Sequence, residues 1–496
     1  MGILARQTTW NTVLTAAGLG LGFLNMAVLY PRHLPAAEFG LTRLIVAMAV
    51  VTAQLAHLGL EPTVIRYFPY FRDPAHRHAG LFRVVLMLGT LGALSAMVLL
   101  FALHDHFALW FNDRNGLYGT YGLVVLPLVL SEVFFLLLRG FSRAVHRSTA
   151  AVFLRELLLR ALQTVLIGAH ILWDLPFTWF LGSFVAAFAV ATLLLLIDLW
   201  RAGEFGFKRV AVRVPRRMAR SMMRYGTITL GVGVAGVAAG NVDQMMLAAM
   251  LPDGLVHVAY YAVALFLASV VTVPSRAMVM PVLPLLAEAW RRRDDDHIDQ
   301  LHRRSTTVLL ATGLFVAMCI CLNIDTLYTM LNPEYASARP VLLLLCLTNV
   351  VNLAGGLGAS IISTSRSYAF DATTGLLYFG LNVLLDFFFI KWVGMVGVAW
   401  SSLVTMAIVV CWRAVFLYRR YGWFPYDGPA MVKLAIACGA ASLTHWLQLP
   451  GPAVVEIGLR CLLAGVVYWT IVHRMRIAPE VTDRFMERLV RFGGRR

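Results

Sequence analysis

The chain has 496 residues, of which 59% are hydrophobic and 14% are charged. Water-soluble globular proteins of this length are much less apolar, so the sequence is that of a polytopic membrane protein. The formal net charge of +16 does not indicate nucleic-acid binding, because the basic residues are spread between apolar segments instead of forming one basic surface.

Fourteen apolar segments are long enough to cross a bilayer as helices, and polar or Pro/Gly-containing turns separate them. The predicted spans are, in chain order, 10–30, 39–60, 82–104, 118–138, 151–173, 177–200, 225–251, 259–283, 306–325, 340–362, 372–390, 393–416, 430–447 and 453–473. No small-residue cleavage motif follows the first span, which is therefore interpreted as a transmembrane helix and not as a signal peptide. The predicted fold class is an all-α polytopic membrane protein with 14 transmembrane helices.

Lysine and arginine are distributed unequally between the two sides of this arrangement. With the N-terminus in the cytoplasm, 32 of the 42 basic residues lie in cytoplasmic segments, 4 lie in periplasmic segments and 6 lie within spans. The positive-inside rule predicts such an asymmetry. We therefore expect both termini in the cytoplasm.

An internal repeat is visible at an offset of 217 residues. HLPAAEFGLTRLIVAM (33–48) and MLPDGLVHVAYYAVAL (250–265) both leave one span through Leu-Pro and enter the next. Six spans per copy give two copies of the same orientation, related by a pseudo-twofold axis along the membrane normal. We therefore predict an N-terminal lobe (1–200), a basic cytoplasmic linker (201–224), a C-terminal lobe (225–416), and two further helices with a basic cytoplasmic tail (417–496).

The seventh span contains a polar cluster in the stretch GVAAGNVDQMMLAAM (236–250). Asn241, Asp243 and Gln244 lie close together in a segment that should otherwise be in contact with lipid. Polar side chains in a spanning helix normally face other helices or a water-filled cavity. The cluster therefore either lines a cavity or forms hydrogen bonds with neighbouring helices.

Four stretches of the chain resemble a known family. They are LGLEPTVIRYFP (58–69), NVDQMMLAAML (241–251), VAYYAVALF (258–266) and LNVLLDFFFIKWVGMVGVAWSSLVT (381–405). Their order and the number of spans are similar to those of the polysaccharide transporter family. This family contains the lipid-linked oligosaccharide flippases of the multidrug/oligosaccharidyl-lipid/polysaccharide exporter superfamily. The resemblance covers most of residues 8 to 475.

The resemblance implies a carrier in the bacterial inner membrane that works by alternating access between two lobes. Its substrate would be an undecaprenyl-pyrophosphate-linked glycan, moved from the cytoplasmic to the periplasmic leaflet. The implied partners are this lipid-linked glycan, the surrounding lipids and glycan polymerase machinery. A monomer without a cofactor is expected, and the use of a coupling cation is left open. An anionic, hydroxylated head group needs a polar cavity with cations for the pyrophosphate and amides or hydroxyls for the sugars.

Arg276 is the first candidate for such a cation, because it lies deep in the eighth span without a local acidic neighbour. Arg43 and Asp243 are expected at similar heights near the periplasmic ends of their spans. We therefore predict that these two residues form an ion pair at an outer gate when the cavity faces the cytoplasm.

The other candidates are polar residues of the spans and of the cytoplasmic mouth. Three ion pairs are expected on spacing and depth, namely Glu132–Arg155, Glu156–Arg160 and Glu456–Arg460. Arg155 is therefore either structural or part of the cavity. The remaining candidates for the cavity are Asn25, Asn241, Gln244, Asn382 and Asp386, and those for the cytoplasmic mouth are Arg66 and Arg72.

The sequence contains no Walker A phosphate loop and no set of paired loop carboxylates for a metal-bound nucleotide sugar. The protein is therefore not expected to be an enzyme. Two alternatives to the flippase remain open. A cation-coupled small-molecule antiporter of the same fold would need an acidic ion site, for which Asp243, Asp386 and Glu132 are candidates. A non-transport component of envelope polysaccharide synthesis is the other alternative.

Overall fold

A computed structural model describes residues 3–72, 80–111, 116–203, 215–426, 428–447 and 452–477, and all the regular secondary structure in these residues is helical. Residues 204–214 of the predicted linker and residues 478–496 of the predicted tail lie outside the described residues. The chain divides into two compact units, Met1–Val263 and Ala264–Arg496.

The first part of the chain contains fourteen described α-helices. They are α1 (Ile3–Phe23), α2 (Tyr30–His33), α3 (Ala36–Ala56), α4 (Leu60–Phe71), α5 (Leu81–Ala102), α6 (His104–Trp110), α7 (Leu117–Tyr121), α8 (Val125–Ala144), α9 (Ser148–Val152), α10 (Leu159–Trp173), α11 (Phe177–Arg201), α12 (Arg216–Ala238), α13 (Val242–Met250) and α14 (Gly254–Ser269). Two π-helical segments, Leu24–Leu29 and Phe153–Leu158, join α1 to α2 and α9 to α10 without a break.

The rest of the chain contains nine described α-helices. They are α15 (Val273–Arg292), α16 (Asp295–Leu322), α17 (Ile324–Met330), α18 (Arg339–Ala354), α19 (Gly358–Thr364), α20 (Tyr368–Val393), α21 (Met395–Tyr421), α22 (Gly428–Ser442) and α23 (Ala453–Arg474). Short 3-10 segments occur at Gly122–Val124, Val270–Thr272, Pro333–Ala338 and Leu443–Trp446.

Proline and glycine mark several of the helix boundaries. Pro35, Pro176, Pro215 and Pro452 come directly before α3, α11, α12 and α23. A proline there does no harm, because the first residues of a helix have no carbonyl partner for a backbone N–H in any case. Between α20 and α21, Gly394 adopts φ 65° and ψ −138°, a conformation open mainly to glycine.

Eleven helical segments among the described residues are long and apolar enough to cross a membrane, and the bent pair α12–α13 makes twelve if it is one span. The two other predicted spans are also helical. Residues 148–173 form one continuous helix with charged residues inside it, and α22 is shorter, with 15 residues. The prediction of an all-helical membrane protein is confirmed, whereas the number of fourteen spans and the pseudo-twofold axis remain predictions.

One helix is central to the first unit, and two helices are central to the second. In the unit Met1–Val263, α8 contacts α3, α4, α5 and α11, and in the unit Ala264–Arg496, α21 contacts α18 and α20 while α16 contacts α18, α22 and α23. Large apolar side chains remain exposed, among them Leu109, Leu172 and Trp392, which are 83%, 79% and 76% exposed. Such surfaces are stable only in contact with lipid, which agrees with a chain that spans the membrane.

Candidate functional site

The polar stretch of the seventh predicted span lies at a break in the helix. α12 ends at Ala238, α13 begins at Val242, and the two axes are inclined by 54°. Asn241 stabilises the break, because its Nδ2 donates to the carbonyl oxygen of Val237 at 2.7 Å. The amide therefore satisfies a carbonyl near the end of its own helix.

Asp243 and Gln244 begin α13 and are buried, with 3% and 8% of their surface exposed. The hydroxyl of Tyr261 donates to Oδ2 of Asp243 at 2.6 Å. A hydrogen bond from a phenol to a buried carboxylate fixes the angle between α13 and α14. Asn241 thus supports the break and Asp243 joins α13 to α14, and a role in lining the cavity remains a proposal for all three polar residues.

Asn25 lies in the π-helical segment Leu24–Leu29 and is 2% exposed. Its Nδ2 donates to the carbonyl oxygen of Arg160 at 3.0 Å, and its Oδ1 accepts from Oγ1 of Thr164 at 2.8 Å. A Nη1 group of Arg160 in turn donates to the carbonyl oxygen of Gly18 at 2.6 Å. Asn25 therefore connects the first and fifth predicted spans, and its role in lining a cavity remains a proposal.

The predicted ion pair between Glu132 and Arg155 is present, with Nη2 and Oε1 2.6 Å apart. The guanidinium also lies over the rings of Phe135 and Phe188, at 5.3 and 5.1 Å from their centroids. Glu132 is buried on α8, and Arg155 lies in the second π-helical segment. The ion pair is confirmed, and a further role of Arg155 in the cavity remains a proposal.

The two predicted i, i+4 pairs are also confirmed. Glu156 and Arg160 are 3.0 Å apart, and Glu456 and Arg460 are 2.6 Å apart.

Arg43 does not form the predicted ion pair with Asp243 in this structure. Its Nη1 contacts Sδ of Met26 at 3.6 Å, and its guanidinium lies 6.0 Å from the ring centroid of Phe184. Both contacts are with helices of the N-terminal part, while Asp243 accepts from Tyr261 instead. The prediction compared only the heights of the two residues in the membrane, whereas the contacts of each side chain also depend on its neighbours.

A close contact joins α3 and α4 to α12. The second predicted span is interrupted between α3 and α4, where Leu58 and Gly59 have φ values of 54° and 69°. A Cβ atom on Gly59 would lie 2.1 Å from the carbonyl oxygen of Gly226 in α12, and one on Gly233 would lie 2.4 Å from Nε2 of Gln54 in α3. The backbones can approach this closely only because glycine occupies these positions.

Of the candidates for the cytoplasmic mouth, Arg66 lies on α4 next to this contact, and Arg72 directly follows the helix. Arg66 and Arg72 are both exposed. The guanidinium of Arg66 lies 4.4 Å from the ring centroid of Tyr225, and Oη of Tyr67 is 2.8 Å from Oγ of Ser221. We call these contacts between α4 and α12 the inner seam.

A second group of buried polar side chains lies between α20 and α21. Asn382, Asp386, Ser401 and Thr405 form this group, which we call the polar quartet, and all but one of its side chains carry a neutral amide or hydroxyl. Asn382 and Asp386 are one turn apart on α20, as are Ser401 and Thr405 on α21. Ser401 donates a short hydrogen bond to Oδ1 of Asp386.

The rest of the quartet has no hydrogen-bond partner among the described residues. Neither side-chain atom of Asn382 is bonded, and Oγ1 of Thr405 is unbonded as well, although both residues are completely buried. A buried polar group without a partner costs about 1–3 kcal/mol. Such a site is suited to a small ligand that brings its own charge or hydrogen bonds.

Arg276 lies on α15, just after the 3-10 segment, and its side chain is exposed. It is thus accessible to a ligand or lipid head group, and its role as the anion-binding cation remains a proposal.

Sequence reasoning missed the pair of Glu61 and Arg139, which fixes α4 to α8. Nε and Nη2 of Arg139 donate to the two carboxylate oxygens at 2.8 and 2.9 Å, in a bidentate arrangement. Glu61 is buried, at 7% exposure. The partners are 78 residues apart in the chain, so no local spacing indicates them.

A family model described as "Polysaccharide biosynthesis protein" matches residues 4–290, which is more than half of the chain. The chain belongs to this family. Membership confirms the resemblance found in the sequence. A search of curated proteins finds no match.

Solved structures of the multidrug/oligosaccharidyl-lipid/polysaccharide exporter superfamily have the same fold as this family member. The lipid II flippase MurJ in an inward closed conformation is 11% identical, with a TM-score of 0.68, over 96% of this chain and all of its own. An inward-facing multidrug resistance MATE family transporter is 13% identical, with a TM-score of 0.65, over 83% of this chain and 94% of its own. A MATE transporter of Vibrio cholerae is 14% identical, with a TM-score of 0.54, over 84% of this chain and 96% of its own.

Proposed function

We propose that the protein moves an undecaprenyl-pyrophosphate-linked oligosaccharide or polysaccharide precursor from the cytoplasmic to the periplasmic leaflet of the bacterial inner membrane. Membership in the polysaccharide biosynthesis family carries this proposal. The extent of the fold supports it, because the lipid II flippase structure covers 96% of the chain and the two MATE structures cover 83% and 84%. Alternating access between two lobes would move the head group.

Arg276 is our first candidate for holding the pyrophosphate, since an exposed guanidinium can form bidentate hydrogen bonds with phosphate oxygens. Arg43 is the second candidate. Its guanidinium is held by a thioether and an aromatic face, so a phosphate would be a stronger partner than either.

Reconstituted vesicles with a fluorescent lipid-linked sugar test the proposal. A membrane-impermeant reductant bleaches only the outer leaflet, so a working flippase raises the bleached fraction above that of vesicles without protein. Arg276→Ala should reduce the rate of flipping, and Arg276→Lys should retain part of it. Arg291→Ala is the matched control, because this arginine lies at the exposed end of the same helix, with its side chain 79% exposed. A wild-type protein that leaves the bleached fraction unchanged would rule the flippase out.

The polar quartet is our candidate for a coupling-cation site. Asp386 supplies one negative charge, and Asn382, Ser401 and Thr405 add neutral oxygen atoms. An oxygen-only set with a single carboxylate suits a hard monovalent cation or a proton better than a transition metal. The unbonded atoms of Asn382 and Thr405 are the observation that supports a ligand at this position.

Thermal stability gives a readout of cation binding that does not depend on transport. Sodium chloride should raise the unfolding midpoint relative to choline chloride, by the equivalent of about 1.4 kcal/mol at ten times the dissociation constant. Asp386→Asn should abolish the difference, whereas Asp371→Asn should keep it, because Asp371 is on the same helix but is paired with Arg413 at 2.9 Å. If the midpoint depends on pH and not on sodium, the ligand is a proton. No dependence on either would contradict the cation site.

The quartet also favours the second candidate function, a cation-coupled small-molecule antiporter. Under this function, a sodium or proton gradient would drive efflux of a fluorescent organic cation from the same vesicles, and the lipid-linked sugar would not move. Gradient-driven efflux without flipping would replace our proposal by this one.

A further inference from the structure

The inner seam joins α4, which follows the second predicted span, to the first half of α12, which begins before the seventh. On the α4 side, Arg66 lies over the ring of Tyr225 at 4.4 Å and over that of Tyr67 at 5.7 Å. The rings of Tyr67 and Tyr225 are 6.0 Å apart and packed edge to face. Arg66 is exposed, so one side of its guanidinium remains accessible from the solvent.

Two more arginines border the seam on the α12 side. Arg217 is one turn before Ser221 and Arg224 is three residues after it, so all three residues lie along one side of the helix. Ser221 contacts Tyr67 at 2.8 Å, and this side therefore faces the edge of α4. Both arginines are exposed.

The positive charge at the seam is not balanced by acidic residues in the described part of the chain. By contrast, Arg139 is paired with Glu61 and Arg155 is paired with Glu132. No such ion pair is recorded among the described residues for Arg66, Arg217 or Arg224. The segment 201–224 contains eight basic residues and one acidic residue, Glu204.

Guanidinium groups on both sides of a closed contact repel one another, and the closed seam is less stable for it. An anion that lies between them removes the repulsion and adds charge-assisted hydrogen bonds from both helices. We propose that Arg66, Arg217 and Arg224 bind the phosphate or pyrophosphate group of a membrane lipid, and that the bound anion favours the closed inner seam. That this lipid is the transported substrate rests on the proposed function.

The consequence for transport is that closure on the cytoplasmic side depends on loading. Without an anion the arginines oppose closure, and with one they connect α4 to α12. A ligand shifts such an equilibrium only as far as it prefers one state over the other, and contact with both helices at once supplies that preference.

The distance between α4 and α12 tests the proposal directly. Spin labels at Tyr70→Cys and Met223→Cys would report it, since these side chains are 72% and 73% exposed, in a background where the exposed Cys411 is replaced by serine. The protein is reconstituted in neutral phosphatidylcholine and titrated with inorganic pyrophosphate at constant ionic strength, with chloride as the control. A second set of vesicles contains phosphatidic acid, which presents a phosphate monoester at the membrane surface.

The expected result is a larger population of short distances when the anion is added. Arg66→Gln, Arg217→Gln and Arg224→Gln should each raise the half-saturating anion concentration by about tenfold or more. Arg216→Gln is the matched control, because this arginine is nine residues before Tyr225 and lies on the opposite side of α12. Its titration should equal that of the unsubstituted protein.

The pyrophosphate titration and the phosphatidic acid vesicles together identify the source of the phosphate group. A response to pyrophosphate supports an anion that reaches the seam from the cytoplasm, and a response to phosphatidic acid alone supports a resident lipid head group. The absence of any response, or an equal loss in Arg216→Gln, would overturn the proposal. The measurement contains no polyprenyl-linked sugar, so a protein that fails to flip that lipid but closes its seam on pyrophosphate contradicts the flippase function alone.

Discussion

Replacing Arg155 with leucine would leave the carboxylate of Glu132 without its cationic partner in the interior of the unit Met1–Val263. Glu132 is 4% exposed, and the two side chains are 2.6 Å apart. Removing one partner of a buried ion pair costs about 3–5 kcal/mol, since the other charge remains desolvated. The side chain of Arg155 is 27% exposed, which places the expected loss at the lower end of that range.

A loss of about 3 kcal/mol corresponds to a fall of roughly 6 °C in the unfolding midpoint, at about 2 °C per kcal/mol for a unit of this size. The double variant Glu132→Leu, Arg155→Leu is the matched control. It removes both charges, and replacing a buried pair by apolar side chains is often neutral or stabilising. We expect the unfolding midpoint of the double variant to lie close to that of the unsubstituted protein.

Fluorescence-detected size-exclusion chromatography after heating in detergent measures these midpoints. The reasoning is refuted if Arg155→Leu unfolds at the temperature of the unsubstituted protein, or if the double variant is as unstable as the single one. The first result would mean that the ion pair does not stabilise the fold. The second would mean that the packing of Arg155 against aromatic rings, and not its charge, is what stabilises the helices.

Gly59→Ala should destabilise the protein, because the new methyl group would be 2.1 Å from the carbonyl oxygen of Gly226 at a position with φ 69°. Gly236→Ala is the control in α12, where a Cβ meets no atom within 4 Å, and an equal midpoint for the two variants would contradict the close contact. Tyr261→Phe removes a 2.6 Å hydrogen bond to Asp243 and should cost about 1.5–3 kcal/mol, measured as a lower midpoint. An unchanged midpoint would show that the phenol does not hold α13.

Composition and charge distribution were sufficient to predict the helical membrane fold, since a segment must be apolar to lie in lipid and its flanking charges record its orientation. Local spacing was sufficient for pairs within one helix, such as Glu456 and Arg460. Depth in the membrane was sufficient to predict the ion pair of Glu132 and Arg155. The spans contain few acidic residues, and Glu132 is one that lies at the expected height of Arg155.

Contacts that depend on rotation around a helix axis or on register between helices were not predictable. Arg43 and Asp243 have similar heights, yet their side chains point to different neighbours. Ser401 became visible as a partner of Asp386 only when the hairpin of α20 and α21 fixed their register. A single sequence contains the residues of such contacts but not the angles that bring them together.

The breaks between α3 and α4 and between α12 and α13 each leave two stiff rods joined by a few residues. A rod can swing about its joint by changing only a handful of backbone dihedrals, while the other rod keeps its neighbours. α4 can therefore swing about residues 57–59 while α3 and α13 stay in contact with each other. Motion of one rod therefore need not be transmitted to the far end of the other.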